Sequence, residues 1–249
     1  MSELDFKNEQ RINVMGVSFS PVDMDGAVDR AMELIAQRSR GWVVTPNPEI
    51  VMIAQKNADM ADAAEKAALV LADGIGVIYA AKILGTPLPA KVPGCDFAQN
   101  VMARLAKKGG SVFLFGAKPG VAELAAENLQ KSYPGLVIAG VNDGYFKDDA
   151  PIIEKINAAK PDFLLVCLGA PKQELWMRDH SAQLDVGLMA GLGGSLDVFA
   201  GVVQRAPVRW QKLGLEWLYR LLKEPKRIGR MAKLPLFLVQ AAWQRVKGR

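Results

Sequence analysis

Residues 69–76 read Leu-Val-Leu-Ala-Asp-Gly-Ile-Gly, a short apolar run that ends at an Asp-Gly turn. A run of this length before a turn is typical of a buried strand in a parallel sheet. Ligands bind at the carboxyl ends of strands in open α/β sheets, so Asp73 would lie at a ligand-binding edge. Its carboxylate could accept a proton, orient a hydroxyl group or bind a metal ion. Alternatively, Asp73 could have a structural role alone and stabilise the turn through its own backbone, as aspartate before glycine often does.

Segments with the patterns of strands and helices alternate along the rest of the chain. Five further short apolar runs end in turn residues, at positions 42–44, 111–115, 136–139, 163–168 and 186–190. Apolar residues at helical spacing lie between the runs. This alternation predicts an α/β fold with a Rossmann-like, mainly parallel sheet and helices on both faces.

Three local patterns give more detailed expectations. Residues 11–19 alternate weakly between polar and apolar, which predicts a first strand. Asp23 and Asp25 match the Asp-x-Asp motif of many metal-dependent sugar transferases. They lie at the start of a predicted helix, however, where aspartate is favoured as a cap. We therefore expect capping there. Asp96 is likewise expected to cap a helix over residues 97–107.

The composition excludes several classes of protein. Of the 249 residues, 50% are hydrophobic and 23% charged, as in ordinary soluble proteins. Cys95 and Cys167 are too few for a disulfide framework, so we expect a reducing compartment and a packing role for both. His180 is the only histidine and is expected at the surface, so a zinc site of several histidines is excluded and a Ser-His-Asp triad is disfavoured. We recognise no signal peptide and no apolar run of about 18 residues that could cross a bilayer.

The charge is unevenly distributed along the chain. Residues 205–249 contain twelve lysines and arginines and two acidic residues, which gives +10, against +5 for the whole chain. A basic segment favours a partner that carries phosphate, such as a nucleic acid, an anionic membrane or a phosphorylated substrate. We predict two regions, an α/β core over residues 1–201 and a basic helical appendage over residues 202–249.

Polar residues and glycines follow strand after strand of the predicted sheet. They include Thr45, Asn47, Asp73, Gly116, Lys118, Gln173, Gly191 and Gly193. Because the carboxyl ends of parallel strands meet at one edge, this set predicts a ligand cleft there. Glycines let the backbone approach a phosphate and present N–H groups to it. Neither a dinucleotide fingerprint nor a Gly-x-x-x-x-Gly-Lys-Ser/Thr loop is complete, which favours a nucleoside diphosphate ligand over an ATPase or a plain dehydrogenase.

Seven short blocks carry a resemblance to a known family. They occupy residues 45–48, 72–77, 92–96, 169–174, 191–197, 205–207 and 216–230. In order and spacing they resemble the WecG/TagA/CpsF family of bacterial glycosyltransferases, from about residue 14 to residue 233. Each block is short, but the ordered set is specific.

The resemblance implies an inverting, metal-independent transfer of a sugar from a UDP-sugar to a polyprenyl-diphosphate-linked acceptor. In one branch of the family, N-acetylmannosamine is transferred to N-acetylglucosaminyl-diphospho-undecaprenol during teichoic-acid synthesis. UDP-glucose or UDP-N-acetylmannosaminuronate, used for exopolysaccharide, are alternative donors. The resemblance implies no cofactor, no nucleic-acid partner and a peripheral position on the cytoplasmic face of the cell membrane. A homo-oligomer is an open alternative to a monomer.

The resemblance also implies roles for residues of the predicted cleft. Asp73 would be the general base that takes the proton of the acceptor hydroxyl. Thr45 and Asn47 would line the sugar site, and Gln173 would line the nucleotide-sugar pocket. Lys91 stands where family members commonly have arginine. Lysine keeps the positive charge but cannot form the two-pronged hydrogen bond that arginine makes to phosphate or carboxylate. It could equally be a solvated surface charge.

The basic appendage would supply the positive charge that a metal-independent reaction needs. By resemblance, Arg220, Arg227 and Arg230 would close over the site, where guanidinium groups suit the oxygens of a leaving diphosphate. Aromatic residues lie among the basic residues of this segment, a pattern that suits an anionic membrane surface. The same aromatic residues could instead pack the appendage onto the core.

Two other classes of function remain as alternatives from the residues alone. A Rossmann-type oxidoreductase could use the glycines of residues 191–194, and a nucleic-acid-binding protein could use the basic segment. Both alternatives leave Thr45, Asp73 and Gln173 without a role.

Overall fold

The computed structural model describes residues 10–207, 209–210, 213–223 and 233–248. Within these ranges, six strands form one parallel sheet in the order β4-β3-β8-β7-β5-β6, and two more form a separate antiparallel pair. The strands of the sheet are β3 (Gly41–Val44), β4 (Leu69–Val70), β5 (Ser111–Gly116), β6 (Val137–Asn142), β7 (Phe163–Cys167) and β8 (Leu188–Gly191). The separate pair is β1 (Ile12–Val14) and β2 (Val17–Phe19).

Helices connect the strands and cover the sheet. In chain order they are α1 (Met24–Ala36), α2 (Pro48–Ala54), α3 (Ala58–Glu65), α4 (Ile75–Leu84), α5 (Gly94–Ala106), α6 (Val121–Ser132), α7 (Ala150–Ala159), α8 (Lys172–His180) and α9 (Ser195–Phe199). Further along the chain lie the helix Glu216–Lys223 and the C-terminal helix Lys233–Lys247. None of the helices in the described ranges combines the length and apolar character needed to cross a membrane.

The strands at the centre of the sheet are buried on both faces. Trp42 and Val44 belong to one apolar cluster, whereas Val43, between them, belongs to a second cluster on the other face. In β5, Phe115 belongs to the first cluster and Leu114 to the second. Successive side chains of a strand point to opposite faces, so two covered faces require an uninterrupted apolar run. This arrangement confirms the predicted α/β fold with a parallel sheet between two layers of helices.

The C-terminal helix belongs to the core on one of these faces. Phe237 and Ala241 are fully buried in the same cluster as Val77 of α4. The predicted C-terminal helical segment is therefore present and packed on α4. The division of the chain at residue 201 stays a prediction.

Two local predictions are wrong. Residues 11–19 form the β1–β2 hairpin rather than one strand, because Met15 and Gly16 adopt φ angles of 56° and 92° and reverse the chain. Helix α5 begins at Gly94, so Asp96 lies in its first turn and is not its cap.

Two further predictions concern single residues. Asp23 caps α1 as predicted, since its Oδ1 accepts a hydrogen bond from the backbone N–H of Gly26 at 2.9 Å. His180, expected at the surface, is only partly exposed, since 18% of its side chain is accessible. Its ring centroid lies 5.1 Å from that of Trp176, and its Nε2 lies 3.6 Å from Oδ2 of Asp149.

Candidate active site

The loops that follow the six parallel strands meet at one edge of the sheet. Three groups of residues can be distinguished there, and their order follows the order of the strands. A carboxylate group lies at β3 and β4, a buried amide links the loops after β7 and β8, and a polar cavity lies beyond β5 and β6. The corresponding residues are Asp73, Gln173 and, for the cavity, Lys118, Tyr145 and Asp197.

Thr45 joins the end of β3 to the end of β8. Its side chain is nearly buried, and Oγ1 donates a hydrogen bond to the carbonyl oxygen of Gly191 at 3.1 Å. A Cβ atom on Gly94 would lie 3.1 Å from Oγ1 and Cγ2 of Thr45, so the start of α5 packs tightly against this residue. Thr45 therefore fixes three parts of the edge relative to one another, and its predicted contact with the sugar stays a prediction.

Asn47 and Asp73 lie in neighbouring turns. Asn47 caps α2, because its Oδ1 accepts from the backbone N–H of Ile50 at 3.0 Å. The backbone N–H of Asp73 donates to the carbonyl oxygen of Pro46 at 3.1 Å. Gly74 has a φ of 100°, and a Cβ atom on it would lie 3.8 Å from Cβ of Asn47. The structure thus brings together two residues that the sequence separates by a helix pair.

The carboxylate of Asp73 is oriented by the first turn of α5. β4 ends at Val70, and Asp73 follows it by three residues, outside the apolar core. Oδ2 of Asp73 accepts a hydrogen bond from the backbone N–H of Gly94 at 3.3 Å. A carboxylate held in this way at the edge of a sheet can take a proton from a hydroxyl group beside it.

Lys91 is carried to the same place by the backbone. The N–H of Val92 donates to the carbonyl oxygen of Ala72 at 2.8 Å, so the loop of Lys91 runs beside the turn of Asp73. Lys91 is half-buried. The backbone at Lys91 therefore lies beside the turn of the candidate base, and a role of its side chain in binding stays a prediction.

Gln173 links the loops after β7 and β8. Its side chain is 2% exposed, and Oε1 accepts from the backbone N–H groups of Gly193 at 2.9 Å and Gly169 at 3.2 Å. Its Nε2 donates to Oε1 of Glu174 at 2.9 Å. A Cβ atom on Gly191 would lie 3.0 Å from Nε2, so the amide packs tightly against the backbone at the end of β8. Gln173 positions both glycine loops, while the predicted contact with the donor is untested.

Glu174 is a buried acid that was not among the predicted site residues. Its side chain is fully buried, and Oε2 has no hydrogen-bond partner within the part of the chain that the structure describes. Burial raises the pKa of this carboxyl group, against the opposing effect of the hydrogen bond from Gln173. Because Glu174 follows the predicted site residue Gln173, the sequence indicates that Glu174 lies near the site. The sequence does not indicate that the side chain of Glu174 is buried.

A polar cavity of about 320 Å³ lies beyond the ends of β5, β6 and β7. An ammonium group, an exposed phenol ring and a carboxylate line it, from Lys118, Tyr145 and Asp197. A nucleotide base can stack on the tyrosine ring. The carboxylate can accept hydrogen bonds from ribose hydroxyls or from a base N–H, and the ammonium group can bind a phosphate oxygen. These chemical groups fit a nucleotide.

Gly116 forms part of the floor beside this cavity. It has a φ of 128°, and a Cβ atom would lie 2.3 Å from the carbonyl oxygen of Cys167. Glycine is therefore required for β5 and β7 to approach each other here. The structure explains Gly116 by packing, and its predicted contact with phosphate is untested.

The two cysteines are protonated packing residues. Burial raises the pKa of Cys95 to about 11 and that of Cys167 to about 12. A thiol with such a pKa is not ionised near neutral pH and is a poor nucleophile. The prediction of a packing role agrees with this environment.

Arg205 connects α5 to the C-terminal segments. It forms a two-pronged ion pair with Asp96, and its Nε lies 3.8 Å from Oε1 of Glu216. Asp96 holds the pKa of Arg205 above its usual range. Arg227 and Arg230 lie outside the described residues. Arg220 lies in the helix Glu216–Lys223, and its side chain is not described.

Sequence reasoning did not assign Tyr145, Asp197 or Glu174 to the site. Tyr145 follows Asp143 and Gly144 directly after β6, and Asp197 lies in the block 191–197. Within the described ranges, no three His, Cys, Asp or Glu side chains lie close enough to hold a metal ion together.

The sequence is similar to those of known glycosyl transferases. The family model described as "Glycosyl transferase WecG/TagA/CpsF family" matches residues 12–249. Proteins named N-acetylglucosaminyldiphosphoundecaprenol N-acetyl-beta-D-mannosaminyltransferase from Staphylococcus aureus strains MW2, NCTC 8325 and COL are each 36% identical to this chain over 238 residues. The match covers 94% of this chain and 93% of each relative.

Proposed function

The chain belongs to the WecG/TagA/CpsF family of glycosyl transferases, and we propose that it transfers N-acetylmannosamine from its UDP-sugar to N-acetylglucosamine on a polyprenyl diphosphate. The relatives are named for this acceptor and this sugar. Family membership favours sugar transfer over the oxidoreductase and nucleic-acid-binding alternatives. We further propose that the transfer inverts the anomeric carbon, needs no metal ion and uses no cofactor.

The observation that carries the proposal is the position of Asp73 relative to the cavity. Adjacent strands are about 4.8 Å apart, so the three steps from β4 to β7, whose end forms the near side of the cavity, span roughly 14 Å, and the four steps to β5, which precedes Lys118, span roughly 19 Å. UDP in the cavity of Lys118, Tyr145 and Asp197 would extend its diphosphate along the edge, past the loops that Gln173 holds. The sugar would then lie near β3 and β4, within reach of Asp73.

The proposed reaction needs one proton acceptor and positive charge near the leaving group. The acceptor hydroxyl attacks the anomeric carbon while its proton passes to Asp73. The bond between the anomeric carbon and the diphosphate oxygen breaks, and UDP leaves with the electron pair. Lys118 and the arginines of the basic segment would stabilise the charge that develops on the diphosphate.

A lipid-linked acceptor requires the enzyme to work at a membrane surface. The C-terminal helix exposes Leu236, Val239, Trp243 and Val246, which recur at helical spacing on one side. Lys247 lies over the ring of Trp243, 3.7 Å from its centroid. An apolar stripe with basic neighbours suits the interface of an anionic bilayer, so we propose peripheral binding to the cytoplasmic face of the membrane.

Release of UDP, measured over a panel of UDP-sugars with a synthetic N-acetylglucosaminyl-diphospholipid acceptor, tests the function. We expect the highest turnover with UDP-N-acetylmannosamine and no loss of turnover in EDTA. Turnover confined to UDP-glucose or UDP-N-acetylmannosaminuronate would replace the proposed donor, and loss in EDTA would contradict metal independence.

Asp73→Asn tests the role of the base. Asparagine can still accept from the N–H of Gly94 but cannot take a proton, so we expect kcat to fall by about 10²–10⁴ with the KM for the donor nearly unchanged. Asp25→Asn, at an exposed position in α1, is the matched control and should leave turnover unchanged. Turnover of Asp73→Asn at the wild-type rate would exclude Asp73 as the base.

A further inference from the structure

An apolar groove of about 350 Å³ lies between α4 and the C-terminal segments. Ile75 and Tyr79 of α4 form one wall. The opposite wall is formed by Leu213 and Trp217 and by Leu234 and Leu238 of the C-terminal helix. Every residue along this groove is aliphatic, aromatic, proline or glycine, in contrast to the polar cavity beyond β5.

The groove begins beside the candidate base. Ile75 follows Asp73 by two residues, and a Cβ atom on Gly214 would lie 3.2 Å from Cγ1 of Ile75. A Cβ atom on Gly76 would lie only 2.3 Å from Cδ1 of Leu234, so the C-terminal helix starts against the start of α4. The groove therefore adjoins the end of the sheet at which chemistry is proposed.

The two helices run side by side away from this end. At their far end, Nη1 of Arg245 donates to the carbonyl oxygen of Leu84 at 2.7 Å. One side of the C-terminal helix closes on the core, where Phe237 is fully buried. The groove side stays open, since Tyr79 is 47% exposed and Leu213 is 70% exposed. Apolar surface that stays open next to a reaction centre is characteristic of a ligand site.

We propose that this groove binds the first isoprene units of the acceptor's polyprenyl chain, an inference that rests on the proposed function. The relatives are named for an acceptor that carries undecaprenol on a diphosphate. Its sugar must lie at Asp73, so the chain attached to it must leave the site along a nearby apolar surface. The groove supplies that surface. It is continuous with the exposed stripe of Leu236 and Val239 on the same helix, which gives the chain an apolar route toward the bilayer.

Direct binding of farnesyl diphosphate tests the groove without any transfer of sugar. Trp217 lines the groove, so farnesyl diphosphate should change tryptophan fluorescence, whereas inorganic diphosphate should not. Trp217→Phe should remove most of this change. Trp243→Phe is the matched control on the exposed stripe and should retain it. Equal responses to farnesyl diphosphate and to a lysophospholipid of similar chain length would overturn the proposal in favour of a general acyl site.

Kinetics with two acceptors test whether the groove is used during transfer. The acceptors are N-acetylglucosaminyl diphosphate esterified to farnesol and the same compound esterified to methanol. Leu213→Asp should raise the KM for the farnesyl acceptor at least tenfold and leave the KM values for the methyl acceptor and the donor unchanged. Leu124→Asp, an exposed position on α6, should change none of them.

These results separate the groove from the proposed function. Equal KM values of the wild type for the two acceptors, or equal effects of Leu213→Asp on both, would overturn the groove while leaving sugar transfer intact. Absence of transfer to either acceptor would overturn the proposed function, and the fluorescence of Trp217 with farnesyl diphosphate would still decide the groove.

Discussion

Gln173 shows how one buried side chain can organise a site. Its amide oxygen accepts from Gly169 and Gly193, and its amide nitrogen donates to Glu174. The two glycines belong to loops after different strands, which lie next to each other in the sheet. The side chain therefore fixes these two loops relative to each other, at the place where we propose that the diphosphate passes between the cavity and Asp73.

Gln173→Met keeps the volume of the side chain but removes the acceptor for two backbone N–H groups. A fully buried N–H without a partner costs about 1–3 kcal/mol, and these two are only part-buried, so we expect the free energy of unfolding to fall by about 2–4 kcal/mol. Urea unfolding measures this loss. Gln130→Met, at an exposed position in α6, should change the free energy of unfolding by less than about 0.5 kcal/mol. Equal stabilities of the two variants would contradict the linking role.

Glu174 should make stability depend on pH. Burial raises its pKa in the folded protein, so between the unfolded and folded pKa values the folded state binds more protons. The stabilising contribution is thus fully present below the unfolded pKa and is lost as the pH rises through the folded pKa. The slope has an upper limit of about 1.4 kcal/mol per pH unit.

Glu174→Gln should remove this contribution to the pH dependence while an amide oxygen remains to accept from Gln173. Chemical denaturation of both proteins from pH 4.5 upward measures it. We expect the difference in unfolding free energy to shift in favour of Glu174→Gln as the pH rises. A difference that is constant with pH would show that Glu174 titrates normally.

The residues of the site were predictable to different degrees for a physical reason. Asp73 stands in the turn after one apolar run and Gln173 in the first turn of the helix after another, and such positions are visible in a sequence. The burial of Glu174 results from packing between distant segments, which local patterns do not contain. Arg205 lies within one of the short blocks of the sequence, but its pairing with Asp96 depends on how the segment after α9 folds back onto α5.

At the scale of elements, the contact between α4 and the C-terminal helix depends on glycine. Gly76 leaves no room for a side chain, because a Cβ atom would lie 2.3 Å from Leu234 and 2.7 Å from Cγ of Pro48. Lys233 and Glu49 form an ion pair of 2.9 Å beside this contact. The start of the C-terminal helix is therefore held against both α4 and α2.

Gly76→Val should displace the C-terminal helix while the sheet stays folded. Overpacking of this kind typically costs about 1–3 kcal/mol, and here it acts on one helix contact. We expect limited proteolysis to cleave the C-terminal helix several times faster, with the circular dichroism of the core retained. Gly248→Val, where a Cβ atom makes only ordinary contact with Gln244, is the control. Unchanged protease resistance of Gly76→Val would show that the contact does not hold the helix.

At the scale of the whole molecule, the order of the strands separates the two ends of the site. Apolar runs and helical spacing were enough to predict a parallel sheet with helices on both faces. They could not predict the order β4-β3-β8-β7-β5-β6, which depends on pairing between strands far apart in the chain. Without that order, Asp73 could not be assigned to the opposite side of the cleft from Tyr145 and Asp197.

At the same scale, two apolar surfaces of the molecule adjoin each other, and a membrane-bound acceptor could contact both. The groove lies next to Asp73, and the exposed stripe of the C-terminal helix continues from it. If the stripe lies on the bilayer, it is a binding surface and not part of the catalytic site. Association with vesicles and turnover with a soluble acceptor should then be separable by mutation.

The double variant Val239→Glu with Trp243→Glu tests this separation. Both side chains are more than 60% exposed, so the fold should tolerate the change. Two added carboxylates oppose apolar insertion and are repelled by anionic lipid, so we expect binding to anionic vesicles to weaken at least tenfold. Turnover with the methyl-ester acceptor should remain within about twofold of the wild type. Leu124→Glu should alter neither quantity, and vesicle binding by the double variant at the wild-type level would place the membrane contact elsewhere on the protein.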